Sequence, residues 1–117
     1  MNPAETLLEI HDLDLLLGEA RDRAQVARYR RAGIAIGAPA ALERARTRLL
    51  QQLDPRWRYH YERALGRYGN GISGVRVRVC QGCFMTLPRS ASPVETGALM
   101  LCECCGRILL WEPRLRS

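Results

Sequence analysis

Two cysteine pairs, Cys80-Gln-Gly-Cys83 and Cys102-Glu-Cys-Cys105, decide how the C-terminal third of this chain folds. Each pair has the C-x-x-C spacing, and 18 residues separate the two pairs. Two intervening residues allow one tight turn to direct both sulfurs at a single point, and two such turns together form the tetrahedral sulfur site that zinc prefers. Four protein ligands leave no position for water or substrate. The pattern therefore predicts one structural, tetrahedral Zn²⁺ bound by Cys80, Cys83, Cys102 and Cys105.

Other uses of these cysteines fit the sequence less well. A disulfide framework requires an oxidising compartment, and the N-terminus lacks the basic and apolar regions of a secretion signal, so we expect a cytoplasmic protein. A redox C-x-x-C pair would accompany a βαβ pattern, which is absent. The fifth cysteine, Cys104, is either an additional thiol near the site or a small, half-buried apolar residue.

Length and charge limit the classes of protein that fit. The 117 residues suffice for one domain, or for a small module with an extension. No apolar run approaches the roughly 20 residues of a membrane span, so we expect no membrane association. The formal net charge is +6, and all 18 basic residues are arginine. Residues 1–20 carry −5, residues 21–79 carry +10 and residues 80–117 carry +1, so the basic character belongs to the middle of the chain.

The N-terminal segment has the pattern of a long amphipathic helix. Asn2, Pro3 and Glu5 are typical of a helix N-terminus, and Gly33 is typical of the residue after a C-terminus. We therefore predict a first helix over about 3–32. Its apolar residues recur at alternating steps of three and four, as in a helix-packing seam: Ile10, Leu13, Leu17, Ala20, Ala24 and Ala27.

A second helix should follow a short connection. Pro39 is suited to open it, and apolar periodicity continues over about 40–68. We expect a kink near Pro55, or a short stop with Asp54 capping a new helix. Because the connection is short, the two helices should pack as an antiparallel hairpin, or coiled coil, over residues 1–68.

The remaining residues, 69–117, have the pattern of a small β module. A glycine-rich joint leads into Val75-Arg-Val-Arg-Val79, whose alternation predicts a strand with valines on one face and arginines on the other. Another strand should leave the second cysteine pair over 107–111. The fold class is thus mainly α with a small β module, a helical hairpin followed by a four-cysteine zinc ribbon. The core around the metal is predicted to contain Phe84, Leu87, Leu101, Ile108 and Leu110.

The contexts of the cysteine pairs resemble a known family. The residues that carry the resemblance are Tyr61-Glu62-Arg63, Val79-Cys80-Gln-Gly-Cys83-Phe-Met-Thr-Leu-Pro88 and Cys102-x-x-Cys105-Gly106-Arg107-Ile108-Leu109. They are similar to the bacterial C4-type zinc-ribbon family with an N-terminal coiled-coil hairpin. The resemblance implies a structural zinc on the four cysteines and a role in binding RNA or proteins of transcription and of flagellar or type III export systems. The helical part is under half the family's usual length.

Two functional hypotheses follow, neither of them enzymatic, because no catalytic constellation is present. The first is a nucleic-acid-binding module, RNA more than DNA, in the regulation of gene expression. Arginine pairs bidentately with phosphate and aromatic rings stack on unpaired bases. Alternatively, the candidate side chains only form a solvent-exposed face of a helix or strand and bind no nucleic acid. The candidate residues are Arg56, Arg58, Arg63, Arg67, Arg76 and Arg78, with Trp57 and Tyr59 between the helical arginines.

The second hypothesis is a protein adaptor or chaperone that binds a transcription or export component through the helical hairpin. Ile34 and Ile36 at the predicted tip and Trp111 near the C-terminus are its candidate contacts. A regulator that inserts a coiled-coil tip into RNA polymerase is a less suitable variant, because this tip carries no acidic residue. A thin helical rod has little core, so a homodimer through the helices is also predicted.

Overall fold

The computed structural model describes residues 3–34, 38–89, 91 and 99–111, and these residues form a mainly α-helical fold with a small β module. The predicted fold class is therefore confirmed. Within the described residues, no helix is both long enough and apolar enough to cross a membrane. The helices are α1 (Pro3–Arg21), α2 (Arg23–Arg31), α3 (Pro39–Gln52) and α4 (Pro55–Tyr68). The strands are β1 (Ile72–Arg76), β2 (Val79–Cys80), β3 (Met100–Leu101) and β4 (Ile108–Trp111).

The prediction of one continuous first helix over 3–32 is wrong, because the chain is interrupted at Asp22. This residue has φ −88° and ψ 105°, and its carboxylate accepts hydrogen bonds from the backbone N–H groups of Ala24 and Gln25. An aspartate that caps a helix satisfies N–H groups that would otherwise lack a partner, whereas inside a helix it has no such role. Asp22 therefore begins α2, and Ala24 and Ala27 of the predicted seam are exposed.

The predicted helix ends at Gly33 and Pro55 are present, whereas Asn2 of the predicted N-terminus lies outside the described residues. Gly33 follows α2 with a left-handed φ of 83°, a conformation that glycine adopts without a steric penalty. Asp54 caps α4 by accepting a hydrogen bond from the backbone N–H of Arg56, and Pro55 is the first residue of that helix. Of the two alternatives at Pro55, the structure thus has the stop with a new helix, and α3 and α4 are separate.

Helices α1 and α3 pack antiparallel. Leu7 and Ile10, near the start of α1, are buried in one cluster with Leu50, at the end of α3, and Leu53, which follows it. At the other end of the pair, Arg21 forms an ion pair with Glu43 near the start of α3. The predicted helical hairpin is therefore formed by α1 and α3, with the large residues of the seam inside it.

A polar network joins α4 to this pair. Arg46 of α3 donates from Nε to Oδ1 of Asp14 at 2.5 Å and from Nη2 to Oε1 of Glu62 at 2.7 Å, while the hydroxyl of Tyr61 donates to Oδ2 of Asp14. Burial works against the charge of Arg46, but the two carboxylates outweigh it and raise the arginine pKa. Three helices are therefore held by a group of side chains that satisfy one another.

The four strands form one sheet in the order β2-β1-β4-β3, with β1 parallel to β4 and the other neighbours antiparallel. The predicted single strand over 75–79 is wrong. Val77 and Arg78 form a turn between β1 and β2, with φ values of 49° and 59°, and Val77 is 88% exposed. Arg76 and Arg78 consequently do not share the face of one strand.

The sheet and the helices share apolar contacts. Ile108 of β4 is fully buried in the helical cluster beside Tyr61, with Ile72 and Leu101 packed against the same cluster. Gly71 permits this approach, since a Cβ atom there would lie 2.7 Å from the backbone oxygen of Tyr61. Ile108 thus belongs to the helical core and not, as predicted, to the core around the cysteines.

Candidate metal centre and basic surface

The four cysteines of the two C-x-x-C pairs lie together. Their Sγ atoms are all within 4.8 Å of one another, and all five cysteines of the chain are free of disulfides. Between the pairs, Cys80 and Cys105 are 3.9 Å apart and Cys83 and Cys102 are 3.6 Å apart, measured between sulfurs. A tetrahedral site with Zn–S bonds of about 2.3 Å has sulfur–sulfur edges of about 3.8 Å. The donor set therefore has the size and chemistry of a four-thiolate metal site.

Two similar backbone turns bring the sulfurs together. In the first, the N–H of Phe84 donates to the carbonyl of Cys80 at 2.7 Å, and in the second the N–H of Gly106 donates to the carbonyl of Cys102 at 2.9 Å. The residue after the last cysteine of each pair is left-handed, with φ 61° at Phe84 and 79° at Gly106. Only the second turn has the glycine that this conformation favours.

Phe84 differs from the sequence-based prediction. It was expected in the core around the metal, but its side chain is 72% exposed. Of the other residues predicted in this core, Leu87 is buried in the cluster around the cysteines, as predicted, and Leu110 is buried. Leu101 instead packs against the helical core, so its predicted place is wrong. The left-handed conformation of Phe84 costs a non-glycine residue about 1 kcal/mol. Because its side chain is also exposed, Phe84 is a candidate contact residue. An apolar residue in the sequence is more readily assigned to the core, so the sequence did not indicate this role.

Ser73 of β1 is a neighbour of the metal centre that the sequence analysis missed. Its buried Oγ lies 3.0 Å from Sγ of Cys80 and accepts a hydrogen bond from the N–H of Gly82. Burial alone would raise the pKa of Cys80, but hydrogen bonds from Ser73 and from the backbone of Cys83 and Gly82 lower it to about 7. The serine therefore stabilises the thiolate form that binds metals.

The thiols of Cys83 and Cys102 differ from Cys80, because their pKa values are raised. Burial raises the pKa of Cys83, and the neighbouring thiols Cys102, Cys80 and Cys105 raise it further. Burial also raises the pKa of Cys102. Thiolates so close together repel one another, and a divalent cation at their centre removes that repulsion. The electrostatics of the cluster therefore favour a bound cation.

Arg107 is a second neighbour of the centre and connects it to the end of α4. Its buried side chain donates from Nε to Oδ1 of Asn70 at 2.6 Å, and its guanidinium lies over the ring of Tyr68 at 4.2 Å. The same side chain passes the first cysteine turn, where a Cβ atom on Gly82 would lie 2.7 Å from Nη1 of Arg107. The absence of a side chain at Gly82 therefore permits this close approach.

Cys104 is exposed, so it is the additional thiol of the two alternatives and not a half-buried apolar residue. It lies in a polar cleft of about 240 Å³ between α4 and the second cysteine turn. Both sides of the cleft carry polar side chains: His60, Arg63 and Arg67 from α4, and Glu103 and Cys104 from the turn.

The arginines predicted to bind nucleic acid are only partly brought together. Arg56, Arg63 and Arg67 are exposed on one face of α4, because steps of seven and four residues return to the same side of a helix. We call these three the basic stripe. In the described residues, none of the three forms an ion pair with a carboxylate. Tyr59 is exposed beside the basic stripe, with its ring against the edge of His60.

The other predicted nucleic-acid contacts lie elsewhere. Arg58 is about 200° around the helix from Arg56 and is half-buried. Trp57 packs against the helical core with the Arg56 guanidinium over its ring at 4.7 Å. Arg76 is at the exposed end of β1, and Arg78 donates to the carbonyls of Pro88 and Ala91.

The predicted protein contacts are also separated from one another. Ile34, after α2, is 54% exposed. Trp111 at the end of β4 is half-buried against the apolar cluster that surrounds the cysteines. Ile36 lies outside the described residues.

Comparison with known proteins finds similarity at the level of structure. No protein-family model matches the chain, and no curated protein matches it. The structure of CT398 from Chlamydia trachomatis is similar over 63% of this chain, with 31% sequence identity and a TM-score of 0.51. The structure of HP0958 from Helicobacter pylori is similar over 63% as well, with 26% identity and a TM-score of 0.52. This chain spans about a third of either protein.

Proposed function

We propose that this protein is a non-enzymatic, cytoplasmic RNA-binding protein whose four cysteines hold one structural Zn²⁺ and which acts in the regulation of gene expression. The observation that carries the proposal is the basic stripe of Arg56, Arg63 and Arg67, which runs along α4 into the polar cleft at the second cysteine turn. The ion, when bound, supplies structural cross-linking of the two turns and no open coordination position.

The stripe has the features that a single RNA strand requires. Its guanidinium groups have no carboxylate partner among the described residues, so they are available for phosphate. Tyr59 offers an exposed ring for a base. At the end of the stripe, Glu103 offers a carboxylate to base amino groups or to a ribose 2′-hydroxyl, which DNA lacks. These features support RNA over DNA.

The resemblance to the C4-type zinc-ribbon family supports the same proposal. The sequence contexts of the two cysteine pairs carry that resemblance, and the family implies a structural zinc and RNA as one of its ligands. Because this chain spans only about a third of CT398 and of HP0958, the binding surface is proposed from its own residues.

The test is a binding titration with the zinc-loaded full chain and fluorescent single-stranded RNA, followed by anisotropy. The double variant Arg63→Glu, Arg67→Glu should weaken binding about tenfold or more and reduce the salt dependence of the affinity. The control is Arg28→Glu with Arg31→Glu, which makes the same charge change on exposed residues of α2. Equal losses in both variants, or an equal affinity for DNA of the same sequence, would contradict the proposed site or the preference for RNA.

A second candidate function is that of a protein adaptor for a transcription or export component. The observation that favours it is the exposed apolar surface after α2 and in the β module. Ile34 follows α2, and Val77, Phe84 and Met85 are exposed at the β1–β2 turn and the first cysteine turn. A pull-down divided into nuclease-treated and untreated halves separates the two functions. An adaptor retains one protein at equal stoichiometry after nuclease, whereas an RNA-binding protein loses its bound material.

A further inference from the structure

A groove between α1 and α3 lies outside the metal centre and borders the helical core, against which Leu49 packs. It has a volume of about 460 Å³, and its apolar lining comes from both helices. Leu16 is 42% exposed in it, and its neighbour Leu15 is 57% exposed on the same helix. The apolar lining includes Leu13, Leu16, Ala45 and Leu49. The groove thus presents to solvent apolar side chains of the kind that are buried on the core side of the same helices.

The two lips of the groove carry opposite charges. Glu9 and Asp12 line it from α1, and Arg48 lines it from α3. Among the described residues none of these three forms an ion pair, although other charged residues of the same helices do: Arg21 with Glu43, and Arg46 with Asp14 and Glu62. The groove separates an acidic lip from a basic lip without pairing them.

We infer that the groove is the interface of a symmetric homodimer, in which a second copy of this chain packs its own groove against it. A two-fold axis along the groove brings the acidic lip of each copy onto the basic lip of the other. The levels also match. Because α1 and α3 are antiparallel with Asp14 beside Arg46, Asp12 and Arg48 lie at the same position along the groove. Rotation about an axis along the groove does not change that position, so Asp12 of one copy faces Arg48 of the other.

The charge pattern selects a second copy over other occupants. A partner of one charge sign would be attracted by one lip and repelled by the other, and a nucleic acid would be repelled by Glu9 and Asp12. With a second copy, the acidic lip of each chain faces the basic lip of the other, so two such contacts form. The leucines of both grooves are then covered. This pairing would form without RNA, so the inference stands or fails separately from the proposed function.

Sedimentation velocity and light scattering on the zinc-loaded full chain test the dimer. The wild type should show a concentration-dependent mass of twice its 13.2 kDa. Arg48→Glu places acid against acid, and the double variant Glu9→Arg, Asp12→Arg places base against base, so each should weaken dimerisation about tenfold or more. Mixing the two variants in equal amounts restores both lip contacts and should restore the dimer as a heterodimer.

The matched control is Arg44→Glu, which makes the same charge change on an exposed residue of α3 outside the groove and should leave the dimer unchanged. Leu16→Glu provides a second variant that disrupts the apolar lining, and circular dichroism with metal analysis verifies that each variant is folded. A wild type that stays monomeric overturns the inference. So does a dimer unaffected by the groove variants, a mixture that fails to associate, or a groove that is filled only by a different protein.

Discussion

The hydroxyl of Tyr61 on α4 donates a hydrogen bond of 2.5 Å to Oδ2 of Asp14 on α1, 47 residues earlier in the chain. Asp14 also accepts from Arg46 of α3, so one carboxylate serves both other helices. The ring of Tyr61 is fully buried in the helical core beside Ile108 of the last strand. This pair therefore holds the helices together at the place where the sheet joins them.

Replacing Tyr61 with phenylalanine should lower the free energy of unfolding by about 2 kcal/mol. The ring remains, but a buried hydrogen bond to a carboxylate is lost. Urea denaturation of the zinc-loaded protein measures the change. Tyr59→Phe is the control, because Tyr59 is exposed and its substitution should change the free energy by a few tenths of a kcal/mol. Equal effects of the two substitutions would show that the Asp14 contact contributes nothing.

The same pair predicts a dependence of stability on alkaline pH. Burial, with the hydrogen bond to Asp14, raises the pKa of Tyr61 above its usual value of 10. Above that pH an unfolded chain has lost the phenolic proton while the folded chain retains it, so the free energy of unfolding should fall as pH rises. Denaturation midpoints measured from neutral pH to above pH 10 test this. In the Tyr61→Phe variant, the free energy of unfolding should fall less steeply as pH rises. A slope equal to that of the wild type would contradict the role of Tyr61.

The cysteine cluster predicts that two neighbouring cysteines respond oppositely to substitution. Cys102→Ser should abolish stoichiometric metal binding and unfold the β module, since three remaining thiolates cannot replace the fourth. Cys104→Ser should retain one metal per chain, because Cys104 is exposed and outside the cluster. Elemental analysis of the purified proteins gives the stoichiometry, and circular dichroism gives the fold. Retention of metal by Cys102→Ser, or its loss from Cys104→Ser, would exclude the assigned ligand set.

Ser73 should affect how tightly the metal is held. Ser73→Ala removes the hydroxyl beside Cys80 and leaves the N–H of Gly82 without its acceptor. Hydrogen-bonding neighbours of metal ligands change affinity about 10- to 100-fold, so zinc should transfer to a competing chelator at a correspondingly lower chelator concentration. Thr86→Ala is the control, an exposed hydroxyl in the same module. Matching chelator titrations for wild type and Ser73→Ala would exclude a role for this contact.

Local patterns in the sequence were sufficient for some parts of the structure. The spacing within each C-x-x-C pair predicts a tight turn, and the four predicted ligands do lie together. The helix end before Gly33 was also predicted, and the start of α4 at Pro55, capped by Asp54, was one of two predicted alternatives. Each of these features depends on residues within one or two turns of chain, where side-chain chemistry alone determines the backbone conformation.

The wrong predictions have local causes as well. The periodicity over 3–32 concealed the capping aspartate Asp22, because a seam of alanines continues beyond it. The strict alternation over 75–79 indicated one strand, but the β1–β2 turn requires left-handed residues at Val77 and Arg78. Valine rarely adopts that conformation, so the sequence contains no signal for the turn.

The sequence by itself therefore determined the classes of element, several of the helix ends and the two C-x-x-C turns, because these depend on near neighbours in the chain. Only the tertiary structure decided which distant residues meet: Ser73 beside Cys80, Arg107 beside Asn70, and Tyr61 beside Asp14. Such contacts follow from how elements pack around a shared core, and packing depends on surfaces that a one-dimensional pattern does not contain.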